Sequence, residues 1–293
     1  MNRSLAPTLL ALLLLLGALS GSAAPEGQKH RLVDRYAAGD VHQVENTFSM
    51  AMDMEVTLPD GNASTMKFSS RERTSYREDV LAVDAQGPAS LRRTYAASRS
   101  SDTDHQGTKV KTSSLQGKTV TLRRVGQKVT VVARGGKISA EDRKSLTEEL
   151  RNRPAKLFPD HAVAPGDEWE VDARELMRSF ATEGNLDRAA MKARFQDIVP
   201  YGGHQCARVQ VTLELSGRPT PQPFEMTATL SGYVYHALKI QRSVGADLTG
   251  PMTIRGQTES DGVQAEMKGD GTMTMKWGDR FLKVAGKPVA AKR

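Results

Sequence analysis

The chain has 293 residues, with 41 Lys+Arg against 34 Asp+Glu (net +7), 38% hydrophobic and 5% aromatic residues, 12 Met and one Cys. With a mean hydropathy of −0.47, that composition fits a globular chain and excludes a membrane bundle or a low-complexity polymer. One cysteine excludes both an intrachain disulfide framework and a Cys-rich zinc site.

Residues 1–23 read as a signal peptide. Arg3 gives a positive start, Leu9 to Leu16 is apolar throughout, and Gly21-Ser22-Ala23 supplies small residues before the cut. The apolar stretch is shorter than the ~20 residues a spanning helix needs, so the mature chain is expected to carry no transmembrane segment. Leu19-Ser20-Gly21-Ser22 resembles a bacterial lipoprotein box with Ser where an acylated Cys is required. The expected product is exported, periplasmic or extracellular, and not lipid-anchored.

Beyond residue 30 the dominant signal is period-2 alternation. Phe48, Met50, Met52, Met54, Val56 and Leu58 share one phase, with Ser49, Ala51, Asp53, Glu55 and Thr57 on the other, which predicts a half-buried strand. Pro59-Asp60-Gly61-Asn62 predicts a turn, and Met66 and Phe68 predict its hairpin partner. Val129 and Val131 follow a turn at Gly126-Gln127. Asp102 to Gly107 sits in a Ser/Thr-rich stretch and reads as a polar surface loop rather than a cation loop.

Capping spacing at Ser139 to Asp142, an apolar pair at Leu146 and Leu150, and Pro154 predict a short helix near 140–152. Asp172 to Glu175, with Leu176 and Phe180 following, predicts a second. Alternation then returns at Ala207 to Leu215, at Phe224 to Leu230, and from Val263 to Trp277. That last run would reach ~50 Å; Gly269 and Gly271 either let it bend around a curved sheet, the preferred reading, or make a hairpin turn. Most strands have one wet face. The fold class expected is therefore mainly β, with antiparallel, strongly curved sheets and two short helices.

Gly39-Asp40-Val41-His42-Gln43-Val44 and Gly166-Asp167-Glu168-Trp169-Glu170-Val171 share a G-D-x-x-x-Val frame. The match admits two readings: related half-units, or two ordinary Gly-Asp turns before strands. On the first, the chain divides into a first half (31–158), a second half (159–283) and a basic tail (284–293). The first half holds 22 Lys+Arg and 16 Asp+Glu (22 − 16 = +6), and residues 159–293 hold 17 of each (17 − 17 = 0). Arg71, Arg73, Arg77, Arg92, Arg93 and Arg99 carry much of that excess. They form either a solvated sheet face or a docking face for an anionic envelope surface. Nucleic acid is not expected as a partner of an exported chain without aromatics among these bases.

Motifs for catalysis are missing. The sequence has no G-x-S-x-G, P-loop, G-x-G-x-x-G or H-E-x-x-H, and its six histidines are scattered. Cys206 falls in the polar phase of its strand with His204 two residues away, an isolated pair that argues for an incidental thiol more than a nucleophile. No enzyme activity, cofactor or metal is expected. The functional lead is methionine. Met50, Met52 and Met54, and Met273, Met275 and Trp277, each place soft side chains on one strand face. Such faces serve as ordinary core, as a deformable ligand surface, or as thioether ligands for Cu(I).

Leu157-Phe158-Pro159 with Gly166-Asp167-Glu168-Trp169, the earlier Tyr36-Ala37-Ala38-Gly39-Asp40, and Cys206-Ala207-Arg208-Val209 resemble phrases of an uncharacterised family of secreted bacterial β-rich proteins. The resemblance implies a β-rich fold and export. It implies no activity and supplies no site residues. The function expected is a non-enzymatic envelope binding protein for an apolar or lipid-like ligand at Met50, Met52, Met54, Met273, Met275 and Trp277. Its rival is a structural or interaction module with a filled β-core and a basic face.

Overall fold

Alternating patterns and tight turns generate one very wide antiparallel sheet. The computed structural model describes residues 27–151, 156–173, 185–218, 224–260, 263–285 and 287–288. In chain order the strands are β1 (Val41–Thr57), β2 (Ala63–Asp84), β3 (Gly87–Asp104), β4 (Gly107–Thr112), β5 (Thr119–Val125) and β6 (Lys128–Arg134). Helix α1 (Ala140–Arg151) follows, then β7 (Glu168–Asp172), β8 (Asn185–Tyr201), β9 (His204–Arg218), β10 (Phe224–Ala237), β11 (Arg242–Ser260), β12 (Val263–Val284) and β13 (Lys287–Pro288). The order across the sheet is β6-β5-β3-β2-β1-β12-β11-β10-β9-β8-β7, with β4 beside β3 and β13 beside β12. Each half is thus a meander of hairpins, and β1 joins them by pairing with β12 along its whole length.

The turns carry the expected chemistry. At the β1–β2 hairpin Gly61 takes a φ of 84°, and Asp60 Oδ1 accepts from the Asn62 backbone N–H at 3.0 Å. Asp102 to Gly107 differs from the predicted loop: the strands run to the tip, pairing Asp104 with Gly107, because Gly107 at φ 112° closes a tight hairpin.

Ser139 caps α1, its hydroxyl accepting from the Asp142 N–H at 3.0 Å. Leu146 and Leu150 are buried as the stripe requires. It is the one helix among the described residues; the second predicted helix lies mostly outside them, and the predicted signal peptide wholly outside.

Strong curl does not develop, and the sheet stays open, with its edge strands β6 and β7 unpaired to each other. Gly269 and Gly271 show why the expectation fails. β12 passes through both without losing register to β1 or β11, which also removes the hairpin alternative. A Cβ on Gly271 would collide with the Ala51 carbonyl oxygen and meet Met52 Cβ at 2.6 Å, and one on Gly269 would meet Met54 Cγ at 3.3 Å. The glycines make room for the neighbouring strand, the Ala51 carbonyl at Gly271 and the methionine side chains at both, rather than for a bend.

The two Gly-Asp turns are built alike. Asp40 Oδ2 accepts from Ala37 N–H and Asp167 Oδ2 from Ala164 N–H, both at 2.9 Å. Gly39 N–H and Asp40 C=O bond Val80, just as Gly166 N–H and Asp167 C=O bond Phe195. Each turn thereby anchors its following strand against the next strand in the chain.

One face of the sheet, here the inner face, gathers the apolar phase of every strand. Two large clusters cover it. In the second half Met191, Phe195, Val209, Val211, Leu213, Leu230 and Met252 pack beneath Leu32, Phe158 and Val163. In the first half Val44, Tyr76, Val80, Leu91, Tyr95, Val120 and Leu122 pack beneath Leu146 and Leu150 of α1. The outer face is polar and carries hydroxyl pairs between strands, such as Thr227–Thr253 at 2.7 Å and Thr249–Thr274 at 2.9 Å.

Candidate functional site

The register places the sequence-predicted methionines opposite one another. Met50 faces Met273, Phe48 faces Met275, Met52 faces Gly271 and Met54 faces Gly269. On the other side of β1, Met52 faces Phe68 and Met54 faces Met66. β11 adds Leu248 opposite Met275 and Met252 opposite Gly271. All five predicted methionines thus share one apolar field on the inner face.

Burial sorts them into floor and surface. Met52 and Met273 are 5% and 4% exposed and act as packing. Met50, Met54 and Met275, with Phe48, Met66 and Phe68, are half-buried. Trp277 separates from the group: opposite Asn46, it packs into the first-half cluster beneath α1. Two surface hollows, of about 470 Å³ beside α1 and about 290 Å³ at Gly39–Val41, are lined by neither methionine strand face.

Sequence reasoning missed a buried row of charges at the end of this same face. His42 Nδ1 and Asp279 Oδ1 are hydrogen-bonded at 2.7 Å, and His42 Nε2 lies 3.0 Å from Glu78 Oε1, off the line of a good hydrogen bond. Arg93 Nε donates to Glu78 Oε2 at 2.6 Å, and its two terminal nitrogens donate to Glu149 of α1, both at 2.7 Å. Arg242 stands 3.9 Å from Asp279 and from Asp40 and covers the Tyr36 ring at 3.7 Å. Arg93, counted in sequence with the basic surface, instead turns inward and is 5% exposed. Arg92 and Arg93 are consecutive in a strand, so they must point to opposite faces.

Burial alone would pull the His42 imidazole down, but the Asp279 hydrogen bond and the Glu78 contact outweigh it and hold the pKa up at about 9. Burial pushes Glu78 up, yet Arg93 and His42 outweigh it, down to about 2. Asp279 goes the other way: burial raises it against the pull of His42 and Arg242. The row is a chain of mutually neutralising charges, buried except at Glu149, and each nitrogen of His42 lies within 3.0 Å of a carboxylate.

Cys206 is fully buried, although its strand phase is polar. Phe281, Val244 and Ala237 pack around it, and the stacked rings of Tyr201 and Tyr235, 3.8 Å apart, flank that cluster. Burial pushes the thiol up to about 11, and its contact with His204 is to the backbone oxygen at 3.7 Å, not to the ring. A thiol so placed is not an activated nucleophile.

No helix among the described residues is long and apolar enough to cross a membrane. Comparison with known protein families and with curated protein sequences finds no match. Among solved structures, DynF from the dynemicin biosynthesis pathway of Micromonospora chersina is similar over 83% of this chain and 90% of its own, at 12% identity and a TM-score of 0.19. That likeness is too distant to bear on fold or function.

Proposed function

We propose that this chain is a non-enzymatic exported binding protein that holds an apolar or lipid-like ligand along the methionine field of its inner face. The observation that carries the reading is the cross-strand register: Met50 against Met273 and Phe48 against Met275 set half-buried Met50 and Met275 beside buried Met52 and Met273 on one face. Long thioether side chains on a firm floor adapt to chains of varied shape. The signal-peptide pattern of residues 1–23 and the resemblance to secreted β-rich proteins support export.

Titration of the mature protein with a fluorescent fatty acid tests this reading. Met50→Lys and Met275→Lys sit at half-buried positions, where a lysine can extend its ammonium to water while interrupting the apolar field. Saturable uptake by the native chain, weakened about tenfold or more (~1.4 kcal/mol) in each variant, is the expected result. Absence of saturable uptake would return these methionines to core packing alone.

A further inference from the structure

The outer face of the first half carries charge the fold does not need. Arg71, Arg73 and Arg77 alternate along β2 on that face, and Arg99, Arg92 and Arg123 extend the field over β3 and β5, since Arg73 faces Arg99, Arg92 faces Thr121 and Arg123 lies two residues beyond Thr121. Like charges directly opposite destabilise a sheet, so the Arg73–Arg99 pair works against folding. The carboxylates that answer the six arginines are few: Asp79 bonds Arg77 and Arg92 at 3.1 and 3.0 Å, and Glu45 stands 3.9 Å from Arg73.

Apolar side chains stand exposed on this same face. Val110 lies opposite Ser101, which is itself opposite Arg71. Val132 lies opposite Thr121, the neighbour of Arg92. Val125 is two residues beyond Arg123 on one strand. These valines are 65%, 54% and 63% exposed, half of the six strongly exposed large apolar side chains among the described residues. Charge alone would suit any polyanion. Cations interleaved with protruding valines suit a surface that is anionic outside and hydrocarbon just beneath.

We propose that the outer face of β2–β6 docks on an anionic lipid bilayer surface, with the arginines on headgroup phosphates and Val110, Val125 and Val132 at the acyl boundary. The face is opposite to the methionine field, so docking leaves that field free.

Co-sedimentation of the mature protein with vesicles tests the proposal. One set is phosphatidylcholine alone and the other is phosphatidylcholine mixed with phosphatidylglycerol. Binding is expected only to the second, and it should fall as salt shortens the Debye length. Each arginine removed should weaken it about fivefold, so Arg71→Glu, Arg73→Glu and Arg99→Glu together should weaken it by on the order of 100-fold or more.

Val110→Ser with Val132→Ser should weaken vesicle binding severalfold while leaving net charge untouched. Far-UV circular dichroism and fatty-acid uptake serve as fold controls, because none of these residues touches the methionine field. Three outcomes overturn the proposal: no affinity for phosphatidylglycerol vesicles, binding indifferent to the arginine changes, or binding indifferent to the serine changes while soluble polyglutamate binds as tightly. The last would assign the face to an acidic polymer instead.

Discussion

His42 stays charged because carboxylates on the two flanking strands hold it, Glu78 from β2 and Asp279 from β12, and that arrangement makes stability depend on pH in a direction that can be worked out. Its folded pKa of about 9 lies above the unfolded value near 6.5, so its contribution is complete below about pH 6.5 and is lost as pH rises through 9. The loss is on the order of 3 kcal/mol. Glu78, held down at about 2, contributes above about pH 4.5 and ceases to as pH falls through 2; raised Asp279 opposes it over the acid range. Urea denaturation between pH 6 and pH 10 should show a falling midpoint in the native chain, and His42→Gln should flatten that fall. Arg93→Met leaves Glu78 buried with one partner fewer and should cost about 3–5 kcal/mol; an effect below about 1 kcal/mol would show that the row carries little stability.

The row was half legible in the sequence. His42 shares the phase of Phe48 and Met50, and Asp279 shares that of Met273 and Met275, so each is a titratable group on an apolar face, which is a recognisable signal. Their pairing was not legible. It depends on β1 lying beside β12, a contact between residues 237 apart in the chain, and local pattern carries no information at that range.

At the scale of the element, β12 shows how a correct phase can accompany a wrong geometry. The alternation from Val263 to Trp277 identified a single long strand, and the strand is there. Why the glycines interrupt it could not be read from one strand alone, because the answer lies in its neighbour, in the Ala51 carbonyl and the Met52 and Met54 side chains. Gly271→Ala should therefore destabilise by about 1–3 kcal/mol through overpacking. Gly278→Ala, where an added Cβ meets nothing within 4 Å, should change stability by no more than about 0.5–1 kcal/mol, in the stabilising direction. Equal losses at both positions would refute the packing explanation.

Helix α1 followed its sequence more closely, since its cap and stripe are local. Ser139→Ala should cost about 1 kcal/mol in the same denaturation assay.

For the whole molecule, the pairing of β1 with β12 along its length makes the two meanders parts of one sheet. Their charges differ, +6 against zero, and the hydrogen bonds between β1 and β12 run across that difference. The expected consequence is a single cooperative unfolding transition, with the fluorescence of Trp169 and Trp277 and the far-UV circular dichroism signal coinciding. Refolding should be slow, because contacts spanning most of the chain must form late. Two resolved transitions would show that the halves fold independently.

Ligand binding is likewise a claim about the whole sheet, since the methionine field exists only where β2, β1, β12 and β11 lie side by side. Native mass spectrometry of the protein purified from its own host under mild conditions tests it most directly. The expected result is a co-purifying lipid or other apolar molecule, lost or much reduced when Met50→Lys and Met275→Lys are combined in a chain that still folds. A mass equal to that of the bare mature polypeptide, unchanged by those substitutions, would contradict it.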